Sequence, residues 1–274
     1  MNTVRVMSKN AAYQKFEVLR TNRNKRYRYG EFLVEGVRNI NQAIRNGWQF
    51  TSLLYRPETP LSRWAQEVLD TVSCDTHYQL SATLMQELSG KTDTSELLAI
   101  LRMRPDDPAL LHDSPCPLYI LFDRPSNHGN LGSIIRSADA LGADGLILTG
   151  HGVDLYQPEV ITASMGSFFN LPAIRMADND TVFDWIARQR DLHPCFQVIG
   201  TTAHKQLNIT QVDFRLPTLL MIGNETEGLC RAFKEGCDLL ATIPMADTSS
   251  ASSFNVACAA TVMMYEVCRQ RAQE

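Results

Sequence analysis

Short apolar runs alternate with stretches of helical period along most of this 274-residue chain. In residues 32–57, FLVEG reads as a strand. The residues after it read as a helix with Val37, Ile40, Ala43 and Ile44 on one face, stopped by Gly47, and TSLLY as a second strand. SRWAQEVLDTV and SATLMQELSG then predict two helices, and LLAILRM a strand. The pattern breaks at RPDDPALLHDSPCP, a stretch crowded with proline and aspartate that reads as a boundary. The expected organisation is a first domain over residues 1–105, a linker over 106–116 and a second domain over 117–274.

Past the linker the alternation sharpens. LYILF, GLILT, LPAIRM, FQVIGT, TLLMIG and LLATIP are nearly continuous apolar runs, separated by helical patterns at 131–141, 158–167, 180–190, 227–235 and 253–271. Strands apolar on both faces belong to a parallel sheet covered by helices on each side, so the second domain is expected to be α/β. In such sheets ligands sit beyond the carboxyl ends of the strands. The loops after the strands are therefore where chemistry is sought.

Composition changes this picture little: 44% hydrophobic and 20% charged residues describe an ordinary globular chain. With no apolar run of membrane-spanning length and a polar start, MNTVRVMSKN, a cytoplasmic protein is expected. The seven cysteines are odd in number and form no CxxC pair, and the six histidines form no HxxxH or HExxH. Neither a disulfide framework nor a metal site is predicted, and the thiols are expected to be reduced and buried.

Charge is more informative. The net charge is −4, yet residues 1–30 hold eight Lys/Arg against one acid, Glu17. Arg20, Arg23, Lys25, Arg26 and Arg28 fall close together with Tyr27 and Tyr29 between them. Such an arm offers cations to phosphates and rings to bases, although a solvated basic helix end would show the same pattern.

Three post-strand loops stand out. In DRPSNHGNLGSIIRSADALGADG, a helix is expected to start near Leu131, capped by Asn130 and ended at Gly142, with Arg136 within its first two turns. Taken singly, Asn130 reads as a cap and Arg136 as half of a surface ion pair. In MIGNETEGLCRAF, Gly223 ends a strand and Glu225 or Glu227 would suit a helix N-terminus. In IPMADTSSASSFNVACAATVMMYE, Ser253 and Asn255 open the last helix, whose core stripe is expected to be Cys258, Ala259, Val262, Met263 and Val267. A phosphate-binding GxGxxG or GxxxxGK[ST] is missing, which counts against a dinucleotide oxidoreductase.

Together, Asn130 with Arg136, GNETEG, and IPM with SFNVACA, in that order, resemble the three motifs of the SpoU/TrmH branch of the SPOUT RNA methyltransferases. ASMGSFFNLP resembles that family's linking segment. FLVEGVRNINQAI and LSGKTDTSELLAIL resemble the L30e-like substrate-binding domain found at the N-terminus of many rRNA-modifying members. Nearly the whole chain is covered. Phe254 stands where leucine is usual, Thr162 where many members have arginine, and the 245–253 loop is slightly long.

The resemblance implies an α/β SPOUT domain threaded as a trefoil knot, behind a smaller α/β L30e-like domain. It implies methyl transfer from S-adenosyl-L-methionine to an RNA ribose 2′-hydroxyl, on rRNA (23S) in preference to tRNA, by a homodimer that needs no metal. Asn130, Arg136, Glu225, Ser253 and Asn255 would be the catalytic set. Gly223, Gly228, Ile243, Met245 and Phe254, with Thr201 and Asn224 nearby, would hold the cofactor, and Arg20, Arg23, Lys25, Arg26 and Arg28 would meet RNA. A guanidinium hardly loses its proton, so Arg136 is better suited to stabilising oxyanion charge than to acting as a base. The alternatives are a tRNA 2′-O-methyltransferase and a non-catalytic RNA-binding protein on the same fold.

Overall fold

The computed structural model describes residues 2–89, 93–204 and 206–272, so Gly90, Lys91 and Thr92 of the LSGKTDTSELLAIL stretch lie outside the described residues. The chain forms two compact units. Unit 1 runs to Arg104 and also takes in Asp154–Asn170; unit 2 comprises Pro105–Val153 and the chain from Leu171 onward. Residues 117–274 thus do not form one uninterrupted block.

In unit 1, β1 (Asn2–Val6), β2 (Glu31–Glu35), β3 (Phe50–Tyr55), β4 (Thr76–Leu80) and β5 (Leu97–Arg102) form a mixed sheet in the order β1-β4-β3-β5-β2. One face is sealed by α1 (Ala11–Thr21), which buries Tyr13, Phe16 and Leu19, and by α5 (Ala82–Ser89), which buries Leu84, Met85 and Leu88. The basic segment is therefore no free arm. It is α1 followed by α2 (Arg23–Tyr29), each opened by an asparagine, Asn10 and Asn22, whose side chain accepts a backbone N–H one turn on.

The predicted face of α3 (Val37–Arg45) needs correcting. Asn39, Ile40 and Ala43 are buried, while Val37 and Ile44 are exposed. The helix starts only at Val37, after Gly36 at φ 99°, and this start sets which positions turn inward. A second correction concerns Arg26, which is buried at 1% exposure. Its Nε donates to Asp154 Oδ2 at 2.7 Å, Nη1 to the Leu19 and Arg20 carbonyls at 3.0 Å, and Nη2 to Gln157. This buried ion pair ties α2 to the 154–170 segment, where Tyr27 and the Tyr156 amide share the same carboxylate. That segment contains α7 (Pro158–Ala163) and brings Phe168 and Phe169 against Trp48, whose indole donates to the Phe169 carbonyl at 2.9 Å.

Unit 2 is a seven-stranded, wholly parallel sheet. Its strands are β6 (Leu118–Asp123), β7 (Gly145–Thr149), β8 (Ala173–Met176), β9 (Gln197–Thr201), β10 (Leu207–Asn208), β11 (Thr218–Ile222) and β12 (Leu239–Thr242), in the order β10-β12-β9-β11-β6-β7-β8. The central strands β6, β7 and β11 are buried throughout, as their unbroken apolar runs require. Tyr119, Leu121, Trp185 and Phe233 belong to the core between the sheet and α8 (Asn179–Leu192) and α9 (Arg231–Gly236). The expected linker is itself folded. Asp107 caps a 3-10 turn over Pro108–Leu110, Leu111 enters this core, and the His112 carbonyl accepts from the Tyr119 hydroxyl at 2.7 Å.

The last helix, α10 (Val256–Arg271), packs on α6 (His128–Ala140). It buries Ala257, Ala260, Met263, Met264, Glu266 and Val267, whereas Cys258 and Val262 face outward. The predicted stripe was thus rotated partly onto the open side. All seven cysteines are free thiols, but they are half-buried or exposed, not buried. No helix among the described residues is long and apolar enough to cross a membrane.

Candidate active site

The carboxyl ends of β6, β9, β11 and β12 feed the loops that carry the predicted site residues, as a parallel sheet dictates. The β6 loop begins with Asp123, which is 2% exposed and hydrogen-bonded on both oxygens. It accepts from Arg124 Nε and Nη2 at 3.1 Å, from Thr149 Oγ1 at 3.2 Å and from the Cys230 amide at 2.8 Å. Arg124 adopts φ 49°, rare for a side chain of its size. Its side chain also pairs with Glu227 and donates to the Gly228 carbonyl at 3.1 Å. The hydrogen bond to Asp123, helped by Glu227, outweighs burial and pushes the Arg124 pKa up, so the guanidinium stays charged.

Helix α6 starts a turn earlier than its sequence predicts, and its cap is Asn127. The Asn127 side chain accepts from the Asn130 amide at 3.0 Å. Relieved of capping, the Asn130 side chain donates to Glu225 Oε1 at 3.3 Å and accepts from Asn255 Nδ2 at 3.2 Å. Asn255 is itself the cap of α10, accepting from the Ala257 and Cys258 amides. The β11 loop, the first turn of α6 and the cap of α10 are thus joined through Glu225, Asn130 and Asn255.

Glu225 serves a helix N-terminus, though not that of the helix following it. It accepts from the Ser126 amide at 3.0 Å, the Ser126 hydroxyl at 2.7 Å and the Asn127 amide at 3.1 Å, all at the start of α6. Burial disfavours its charge, but these bonds and that from Asn130 outweigh burial and hold the carboxyl below its ordinary value. Neither Glu225 nor Glu227 caps α9, which begins after Cys230. Asn224 shapes the loop between, its Oδ1 accepting from the Thr226 and Glu227 amides and its Nδ2 donating to the Arg124 carbonyl at 2.7 Å.

Against this loop opens a cavity of about 340 Å³, within the range of roughly 300–1,000 Å³ usual for small-molecule sites. Thr201, Gly223, Asn224, Gly228, Ile243, Met245 and Phe254 all line it, as do Glu225 and Ser253. Gly223 is required by close approach: a Cβ there would collide with the Leu229 amide nitrogen. Ile222, Leu229, Ile243, Met245 and Met263 supply apolar walls, and Thr201, Asn224 and Ser253 are among the polar residues. That mixture suits a small molecule with both apolar and polar parts.

The Arg136 side chain is exposed on α6 and makes no hydrogen bond or ion pair among the described residues, so it is not half of an ion pair. Ser253 is likewise exposed, and neither joins the Glu225–Asn130–Asn255 chain. Of the basic set in unit 1, Arg20 is half-buried and donates to the Glu87 carbonyl, Arg23 lies over the Tyr27 ring at 5.6 Å, and Arg23 and Arg28 are exposed while Lys25 is partly so. Only Arg26 is withdrawn from solvent. Sequence reasoning missed Asp123, Arg124, Ser126 and Asn127; an acid closing an apolar strand and the SN pair before a helix were the available signals. No group of three or more His, Cys, Asp or Glu is placed to hold a metal among the described residues.

Comparison with known proteins adds an independent finding. Residues 117–265 match the SpoU rRNA Methylase family and residues 10–99 match the SpoU L30e-like domain. The chain is 45% identical over 268 residues, 97% of this chain and 92% of the relative, to a 23S rRNA uridine 2′-O-methyltransferase of Streptomyces viridochromogenes. It is 30% identical to the 23S rRNA guanosine 2′-O-methyltransferase RlmB of Coxiella burnetii, over 74% of each chain. The crystal structure of the SpoU methyltransferase AviRb from Streptomyces viridochromogenes with AdoMet superposes with TM-score 0.90 at 45% identity, covering 96% of this chain and 98% of that one. An AdoMet-bound rRNA methyltransferase of Sinorhizobium meliloti gives TM-score 0.84 at 28% identity, covering 97% and 98%.

Proposed function

We propose a reaction from one premise: this chain belongs to the SpoU rRNA Methylase family. It is an S-adenosylmethionine-dependent RNA 2′-O-ribose methyltransferase, and its substrate is 23S rRNA. The observation that carries the reading is the Glu225–Asn130–Asn255 chain beside a cavity lined by every residue expected to hold the cofactor.

The cofactor, bound against Gly223, Asn224, Gly228, Ile243, Met245, Phe254 and Thr201, supplies an electrophilic methyl group on a positively charged sulfur. The protein's own contribution is to place and polarise the ribose hydroxyl. Glu225, kept ionised by the α6 N-terminus, fixes the Asn130 side chain, and Asn130 orients Asn255. Those amides and the Ser253 hydroxyl position the ribose. Arg136, unpaired and exposed, faces the developing oxyanion with a charge that it does not give up.

Arg20, Arg23, Lys25 and Arg28 contact RNA phosphates from unit 1. The protein works as a homodimer: Cys258, Val262 and Tyr265 recur at helical spacing on the open face of α10, where Val262 is 44% and Tyr265 58% exposed. A knotted threading is supported by the strand order, in which β12 lies on the far side of β9 from β11 and α10 returns to pack on α6. An rRNA substrate supports a cytoplasmic site of action.

The test is methyl transfer from labelled S-adenosylmethionine to separated rRNA and tRNA fractions, with wild type and Arg136→Ala side by side, followed by mapping of the alkali-resistant site. Label at one 23S position that vanishes in the variant is expected. Label in tRNA, or label unaffected by Arg136→Ala, would overturn the assignment.

A further inference from the structure

The cavity of unit 2 carries two acids, Glu225 and Glu227, and among its described lining residues a single Lys or Arg, Lys234. Both acids are engaged, Glu225 by Ser126, Asn127 and Asn130 and Glu227 by Arg124. The Lys234 ammonium has no ion-pair or hydrogen-bond partner among the described residues. On the same helix Arg231 is neutralised by Glu235 at 2.6 Å.

The backbone of Lys234 is fixed. Its amide donates to the Cys230 carbonyl at 3.1 Å, its carbonyl accepts from the Cys237 thiol at 3.3 Å, and the preceding residue, Phe233, is fully buried. A fixed Cα leaves the ammonium on a flexible four-carbon stem beside the cavity, free to meet an anion there.

We propose that Lys234 binds the carboxylate at the methionyl end of the cofactor, an assignment that rests on the cofactor reading given above. A carboxylate entering beside Glu225 meets like charge unless a cation offsets it, and Lys234 is the one Lys or Arg of the described lining, with no acid already holding it. The ligand's sulfonium and ammonium, in turn, match the acids. The lysine acts as a binding residue, and the transfer step makes no demand on it.

Calorimetric binding of three ligands to wild type and Lys234→Met separates this role from others: S-adenosylmethionine, its decarboxylated analogue, and methylthioadenosine, which lacks the amino-acid end. Lys234→Met is expected to weaken S-adenosylmethionine about five- to tenfold, to leave the decarboxylated analogue and methylthioadenosine unchanged or tighter, and to be partly rescued by Lys234→Arg. Equal weakening of all three ligands would move Lys234 to the purine or ribose and overturn the proposal, as would no change in any. Absence of binding of all three by the wild-type protein would instead overturn the cofactor reading itself, and the role of Lys234 with it.

Discussion

Glu225 accepts a hydrogen bond from the Asn130 side chain at 3.3 Å, joining the β11 loop to the first turn of α6. Substituting Glu225→Gln keeps the shape but removes the charge that two backbone amides and a hydroxyl were arranged to meet. Methyl transfer is expected to fall by about ten- to a hundredfold, the cost of losing charge-assisted bonds worth roughly 1.5–3 kcal/mol, with a smaller effect on cofactor affinity. The pH dependence has a definite sign. The folded-state pKa lies below the ordinary value of 4.5, so the stabilisation is complete above that value and is lost as pH falls through the lowered one. Wild-type stability should therefore decline more steeply than that of Glu225→Gln below about pH 4.5, as thermal unfolding across that range would show.

Arg136→Ala should cost about a hundred- to a thousandfold in methyl transfer, the scale of a lost oxyanion donor. An exposed, unpaired side chain contributes little to folding, so stability should change by no more than about 0.5 kcal/mol. Cofactor affinity should also hold. A large loss of stability would show that Arg136 is structural and sink the assignment.

The basic cluster divides in two. Arg26→Met leaves the Asp154 carboxylate buried and unpaired, so it should destabilise the protein by about 3–5 kcal/mol, visible in chemical denaturation. Combined replacement of Lys25 and Arg28 by alanine should leave stability intact, weaken RNA binding and flatten its salt dependence by roughly one to two units of slope. Deleting residues 1–29 is a poor test of RNA binding, because it would also remove Tyr13, Phe16 and Leu19 from the core.

Gly223→Ala would set a methyl group against the Leu229 amide, a backbone neighbour that cannot swing away. About 1–3 kcal/mol of overpacking strain and a loss of cofactor binding of tenfold or more are expected. Retained affinity in a titration would mean that the Gly223 loop is not part of the cofactor wall.

Val262→Glu combined with Tyr265→Glu places charge on the open face of α10. Sedimentation equilibrium should report a dimer for wild type and a monomer for the variant, with the far-ultraviolet circular dichroism spectrum unchanged.

The sheet of unit 2 was legible because strands buried on both faces cannot carry polar residues without cost, so LYILF, GLILT and TLLMI announce themselves. β1 and β4 of unit 1 were not, since NTVRV and THYQL are short and mixed in polarity. The membership of the site was readable from its residue types, but its wiring was not. Asn130 looked like a helix cap because a cap and a site asparagine share one side chain, and only the three extra residues of α6 free it for Glu225. Arg26 looked like its exposed neighbours because its partner, Asp154, lies 128 residues away. Burial of a charge is decided by such distant pairings, which no local pattern records.

Because unit 1 is made from two separate stretches of chain, cutting after Arg104 removes part of its packing. A gene fragment ending at Arg104 would encode a Trp48 without Phe168 and Phe169, and an Arg26 without Asp154. Transplanting this unit onto another catalytic half therefore requires a graft of two pieces, the second inserted between two adjacent strands of the recipient's sheet. The second piece is what completes the surroundings of Trp48 and Arg26.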